Sequence, residues 1–221
     1  MNLSEWERPA LSERVSIIDL SEASAVGSGN ARRAYRHPED PRFLLKVQEA
    51  AVEEKVKLLK RRLSIAPSNE RELAGYADIT RRLGGKPDYL TEVRGLVETS
   101  QGAALMVDDA LYGDGRAEIV NRLFKAGKGP FSRDEVAAAR AQYEEIAALF
   151  QRTGIYNHCL RPESVVLAEG DGGVGLRLFD CKTLVYRQAI HPRLIPGARR
   201  YIQGLIIEKT LGKFDTLIGK L

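Results

Sequence analysis

Gly154-Ile155-Tyr156-Asn157-His158-Cys159-Leu160-Arg161-Pro162-Glu163-Ser164-Val165-Val166-Leu167 is the stretch on which the reading of this chain turns. It leaves a long helical segment and enters a short apolar strand. Arg161-Pro162-Glu163 stiffens the bend between them, because proline fixes its own φ and holds its predecessor extended. Upstream, Ser132-Arg133-Asp134-Glu135 has the form of a capping box, in which the serine accepts the third-position amide and the glutamate reaches back. The helix it opens carries Val136, Tyr143, Ile146, Ala147 and Phe150 at helical intervals, so one face is to be buried, and Gly154 ends it. Downstream, Ser164–Leu167 and Gly175–Phe179 read as short strands around the turn Glu169-Gly170-Asp171-Gly172-Gly173, and a last helix covers about 197–220.

The preceding half is rich in strand signals. Val15–Leu20, Ala31–Arg36 and Phe43–Val47 predict a three-stranded antiparallel meander. The glycine turn Val26-Gly27-Ser28-Gly29-Asn30 follows the first strand, and His37-Pro38-Glu39-Asp40-Pro41 follows the second. Residues 49–65 and 70–83 have helical periodicity. Pro67 ends the first of these, Ser68-Asn69 offers an N-cap to the second, and Gly84-Gly85-Lys86-Pro87 stops it. Tyr89–Val97 and Ala103–Val107 are two further strand candidates, and the stretch from Asp108 to Gly115 reads as a flexible connection. The expected class is α+β, with a sheet-rich N-lobe over 1–107, a hinge at 108–115 and a mostly helical C-lobe over 116–221.

The totals agree with a soluble globular protein. At 221 residues the chain can bury a real core, and 43% apolar with 29% charged residues is ordinary composition. No apolar run approaches the roughly 20 residues that span a bilayer. The first residues, MNLSEWERPALSERV, hold acidic groups and no apolar stretch, so the expectation is a cytoplasmic chain without a secretion signal. Cys159 and Cys181 have no metal-ligand spacing. The basic runs Lys55–Arg62 and Arg193–Arg200 alternate with Glu53, Glu54 and Glu208, which ranks a solvated helix face above a nucleic-acid or membrane-surface binder.

Four positions outside the opening stretch can carry chemistry. Gly27-Ser28-Gly29 lets backbone approach a phosphate closely, although a plain hairpin turn has the same composition. Lys46 interrupts the apolar strand Phe43–Val47 and is either an edge-strand lysine or a cation for phosphate oxygens. Glu72 can fix that ammonium from the second helix, and Glu70 cannot share its face. Asp180 ends a strand, where a carboxylate suits magnesium and also starts turns.

Taken in order, glycine loop, strand lysine, helix glutamate, the 154–167 loop and Asp180 resemble the protein-kinase series, in which the loop has the form H-x-D-L-K-P-x-N. More specifically the chain resembles the bacterial YrbL family, named for a protein of the PhoP regulatory network and similar to protein kinases. Gly27-Ser28-Gly29, Tyr35-Arg36-His37-Pro38-Glu39-Asp40, Lys46-Val47, Arg71-Glu72-Leu73, Leu160-Arg161-Pro162 and Phe179-Asp180 carry that likeness. The resemblance implies a two-lobed protein-kinase-like fold with an antiparallel N-lobe sheet and a reduced C-lobe, binding ATP with Mg2+. In it Gly27, Ser28, Gly29, Lys46, Glu72 and Ser164 would belong to the nucleotide site, Asp180 to the metal, and Cys159, Arg161 and Glu163 to the catalytic loop.

The departures are informative. Cys159 stands where kinases place the proton-accepting aspartate, Ser164 replaces the asparagine, Arg161 the loop lysine, and Cys181-Lys182 the phenylalanine and glycine after the metal aspartate. Thr183–Pro196 is short for an activation segment with substrate-binding helices. A positioned general base contributes roughly 10²–10⁴-fold, so its loss cripples transfer unless Glu163 or another acid substitutes. A thiol with a pKa near about 8.5 is a poor replacement. These observations predict a nucleotide-binding pseudokinase or very weak kinase that signals through a protein partner, with an active atypical phosphotransferase as the alternative.

Overall fold

The structure, a computed structural model, describes residues 17–28, 32–48, 67–113, 115–170, 172–182 and 197–221. Two lobes are visible. The upper one is a five-stranded antiparallel sheet, β1 (Ala25–Ser28), β2 (Arg32–Arg36), β3 (Phe43–Gln48), β4 (Val93–Thr99) and β5 (Gly102–Asp108), in the order β1-β2-β3-β5-β4. Helix α1 (Ser68–Leu83) packs on this sheet through Leu73 and Tyr76, against Val93, Leu105 and Val107. The lower lobe contains a three-stranded sheet, β6 (Ala117–Ile119), β7 (Val165–Gly170) and β8 (Gly173–Leu178), with helices α2 (Val120–Ala126), α3 (Arg133–Thr153) and α4 (Ala198–Lys220). The α+β, two-lobed fold is the one expected.

The first strand is not where the apolar run placed it. Of Val15–Leu20 the described part makes only a bridge from Ile18 to Thr99, while Leu20 enters the upper core; Val15 and Ser16 lie outside the described residues. The strand itself is Ala25–Ser28, so Gly27 and Ser28 are strand residues, paired with Ala34 and Arg33. Gly29 and residues 49–65, for which the periodicity predicts a helix, lie outside the described residues. Strand β4 starts and ends later than read, because Leu90 makes an isolated bridge to Leu178 of the lower lobe instead, and β5 extends one residue further at each end.

Helix α1 begins at Ser68, but neither Ser68 nor Asn69 caps it. Pro67 is at the N-cap position with no side-chain cap bond. The Asn69 amide is engaged elsewhere, donating to the Lys46 carbonyl at 2.9 Å and so fastening the helix start to β3. Gly84, at φ 73°, ends the helix in the left-handed conformation that glycine adopts without penalty.

In the lower lobe the capping box at Ser132 and Glu135 forms, and all five apolar positions read for α3 are buried. Tyr143 of α3 meets Phe214 of α4 at 5.8 Å between rings, and its hydroxyl donates to the Leu160 carbonyl at 2.8 Å. Thr210 of α4 donates to the same carbonyl at 2.9 Å. The last helix is therefore a wall of the lower lobe and clamps the 154–167 loop. Strand β6 and helix α2 had no clear periodicity in a segment this short.

The turn Tyr35–Asp40 is built by its own side chains. Tyr35 enters the upper core, His37 Nδ1 accepts from the Glu39 and Asp40 amides, and Asp40 grips Arg42. That hydrogen bond outweighs the opposing effect of burial and holds the Asp40 carboxyl down to about 2. Arg36 reaches Asp109 at 3.2 Å, and Arg177 donates to the carbonyls of Ala110 and Tyr112, so the connection after β5 is tied at both lobes.

Candidate functional site

Lys46 occupies the middle of β3, opposite Ala34 on one side and Leu105 on the other. With β3 in the centre of the sheet, the edge-strand reading of this lysine does not apply. Its residue is only 9% exposed. A buried ammonium needs a partner, and Glu72 supplies one: Nζ to Oε1 is 2.5 Å, with the Glu72 side chain 1% exposed. Glu70, two residues earlier, faces solvent, as helical geometry requires.

Arg32 extends this pair toward the lower lobe. In the β2–β3 register Arg32 faces Gln48 and Ala34 faces Lys46, which puts Arg32 on the Lys46 face of the sheet. Its guanidinium lies 2.6 Å from Glu72 Oε2, donates to Asn69 Oδ1 at 3.0 Å, and reaches Asp180 Oδ1 at 3.2 Å. Lys182 approaches the same Asp180 oxygen at 2.7 Å. Lys46 Nζ lies 6.0 Å from the ring of Phe179, next to Asp180 in sequence. The ammonium from the sheet and the carboxylate from the lower lobe thus converge on one cluster. Burial pushes the Asp180 carboxyl up, but Lys182, then Lys46 and Arg32, outweigh it, and the group lies well below the usual carboxylate range. Burial lowers Lys182, and Asp180 resists that shift.

Backbone geometry fixes Asp180 from below. Its φ of 58° is left-handed, a conformation aspartate tolerates better than most residues. Phe179 donates to the Ser164 carbonyl at 3.1 Å, and His158 donates to the Lys182 carbonyl at 2.9 Å. Asn157 is buried, accepts from the Cys159 amide at 3.0 Å and donates to the Cys181 carbonyl at 2.5 Å. Helix α1 comes close at this point because residue 75 is glycine: a Cβ there would stand 1.8 Å from the Cys181 oxygen.

The catalytic-loop positions behave differently. Cys159 is fully buried in the lower core, and its thiol is hydrogen-bonded with Cys181. That bond and then burial push the Cys181 thiol well up, so it stays protonated. Arg161 is exposed. Glu163 is also exposed, 4.0 Å from the ammonium of Lys213 on α4. Ser164 is buried and joins the site through its backbone. His158 is pushed down to about 4, first by burial and then by the Arg161 charge, so it is neutral at pH 7.

Gly27 lies on β1, one strand beyond Ala34 in the row that includes Lys46, while Ser28 lies in the next row, opposite Arg33. Open space surrounds the position a Gly27 Cβ would take. The basic run Lys55–Arg62 and Arg193 lie outside the described residues, and Arg199 and Arg200 are exposed on α4. No described helix is long and apolar enough to cross a membrane. A separate cavity of about 340 Å³, lined by Arg42, Phe43, Arg94, Asp108, Tyr112 and Arg177 among others, includes none of Lys46, Glu72 or Asp180.

The site's composition bears directly on magnesium. Among the described residues no group of three or more His, Cys, Asp and Glu side chains could hold a metal ion. Magnesium in nucleotide sites needs only one or two carboxylates besides phosphate oxygens, so that count does not decide. The charges do. Two unit charges about 4 Å apart repel by about 4 kcal/mol at an effective dielectric of 20, and a dication doubles this. Asp180 already has Lys182 and Arg32 on one oxygen, and the residues present do not fit a magnesium ion.

Arg32, Asn69, Gly75 and Asn157 were not singled out in the sequence. The signal for Arg32 was available in the period of two: it precedes Ala34 on the strand face that opposes Lys46.

The pattern of the family described as PhoP regulatory network protein YrbL matches residues 18–180. The YrbL proteins of Escherichia coli (strain K12) and Shigella flexneri are each 28% identical over 153 residues, which cover 68% of this chain and 65% of each relative. The match therefore spans just under two thirds of the relatives' length. Among solved structures, Rad53 in complex with AMP-PNP superposes with a TM-score of 0.51 at 15% identity, over 86% of this chain and 44% of that one. That likeness is one of fold.

Proposed function

The chain belongs to the YrbL family, and we propose that it is a nucleotide-binding regulatory module of kinase-like fold, a pseudokinase that holds a nucleoside triphosphate and transfers its phosphate weakly or not at all. One observation carries the reading: the Lys46–Glu72 pair, buried between the central strand and α1, is linked through Arg32 to Asp180. Buried ion pairs are costly to desolvate and give weak support to stability, so a pair in this place calls for a ligand-binding reason. Lys46 would meet phosphate oxygens and Glu72 would orient it. Gly27, further along the same row, and Ser28 beside it would offer backbone to the phosphate tail. The Rad53 structure holds AMP-PNP, which accords with a nucleotide in this fold.

The loop supports the second half of the reading. Cys159 is in the core with its thiol turned to Cys181, and Glu163 is on the surface toward Lys213, so neither presents a base beside Asp180. Transfer would rest on positioning and charge alone, without the roughly 10²–10⁴-fold that a base contributes. The output would then be a conformational state read by a protein partner. Thermal unfolding with and without ATP tests this. A rise in Tm with ATP that disappears in Lys46→Met is expected, with no labelled phosphate released or transferred from [γ-32P]ATP. An equal rise in Lys46→Met, or robust label transfer, would reject it.

A further inference from the structure

Asp180 stands among cations. Lys182 and Arg32 both reach its Oδ1, at 2.7 and 3.2 Å. Lys46 and Arg71 also exert their charge on it. The carboxylates in the cluster are Glu72 and Asp180, and the Glu72 oxygens already face Lys46 and Arg32. Among the described residues, Lys46, Arg32 and Lys182 stand against these two carboxylates, which leaves surplus positive charge with no metal added. Arg32 is 10% exposed and Lys182 19%, so solvent screens these charges little. Lys182 is one of this chain's own departures, since it takes the position where the kinase series has glycine.

Resting on the nucleotide reading above, we infer that the site takes the phosphate tail of a nucleoside triphosphate without a divalent metal, Lys182 and Arg32 supplying the positive charge that magnesium brings in a kinase. Lys182 has a particular part. It is placed by the His158 amide, which donates to its carbonyl, and its ammonium can turn from Asp180 toward a phosphate oxygen while staying within the same cluster. Asp180 then orients a cation and is not itself a metal ligand.

The test is calorimetric titration of the full chain with ATP, once in EDTA and once in excess Mg2+, for wild type, Lys182→Ala and Lys182→Arg. Wild type is expected to bind in EDTA at least as tightly as in Mg2+. Lys182→Ala should weaken binding in EDTA by about tenfold or more, the worth of one charge-assisted hydrogen bond, and recover in Mg2+. Lys182→Arg should stay close to wild type, which separates lost charge from damaged folding. Wild-type binding tightened tenfold or more by Mg2+ would overturn the inference and leave the nucleotide reading standing. No binding in either buffer would overturn both. Unchanged binding of Lys182→Ala in EDTA would remove Lys182 from the site.

Discussion

The strand around Lys46 and the loop around Cys159 are both deeply buried, yet they solve burial in opposite ways. At Lys46 the upper lobe keeps an ammonium out of water by pairing it with Glu72, whose second oxygen faces Arg32. At Cys159 the lower lobe has a thiol where a kinase-like loop would have a carboxylate, and packs it against Cys181 with no charge to compensate. A retained costly pair beside a loop without its anion is the pattern of a site kept for binding. Asp180 belongs to the first region chemically and to the second by backbone, and so joins the two.

The largest effect should come from erasing the contrast. Cys159→Asp would put a carboxylate at a fully buried core position. It should cost about 4–5 kcal/mol in urea unfolding, the upper end for one substitution, and bring no phosphate transfer. A stable, active variant would mean that residue 159 faces the nucleotide. Glu72→Ala removes the shared anion of Lys46 and Arg32 and should cost about 3 kcal/mol by the same measurement, because Lys46 loses the carboxylate that pairs it and Arg32 keeps only Asp180. A cost below about 0.5 kcal/mol, usual for surface changes, would contradict the burial of that pair.

The smallest effect is in acid. The ordinary histidine pKa is about 6.5, and His158 is pushed down to about 4, by burial first and Arg161 second. As pH falls below about 6.5 the unfolded chain takes up a proton that the folded chain refuses until about pH 4. The stability is full above that window and declines through it, by up to about 1.4 kcal/mol per pH unit. His158→Gln should therefore show a smaller fall in Tm between pH 7 and pH 5 than wild type. Equal falls would place His158 in solvent.

Much of this contrast was legible in the sequence, residue by residue. The Ser132–Glu135 capping box, the α3 face and the hairpin around Gly170 and Gly173 follow from local rules that tertiary packing did not override. The lysine on an apolar strand and the glutamate on the next helix could be paired by their order. What sequence could not carry was distance. Val15–Leu20 is apolar enough for a strand, yet its described part contributes Leu20 to the core and one bridge, since the sheet edge is taken by Ala25–Ser28. Asn69 looks like a helix cap and instead ties α1 to β3. Gly75 breaks no helix pattern, and its need appears only when the Cys181 carbonyl is seen against it. Arg32 and Lys182, which set the charge at Asp180, are 150 residues apart by number and meet only in three dimensions.

A crystal structure of the chain soaked with AMP-PNP in EDTA tests the central claim most directly. The account predicts triphosphate density within hydrogen-bond reach of Lys46 Nζ and Lys182 Nζ, between the sheet and Asp180, with Cys159 still enclosed. Nucleotide seated away from Lys46, or a Cys159 thiol turned to the γ-phosphate, would contradict it.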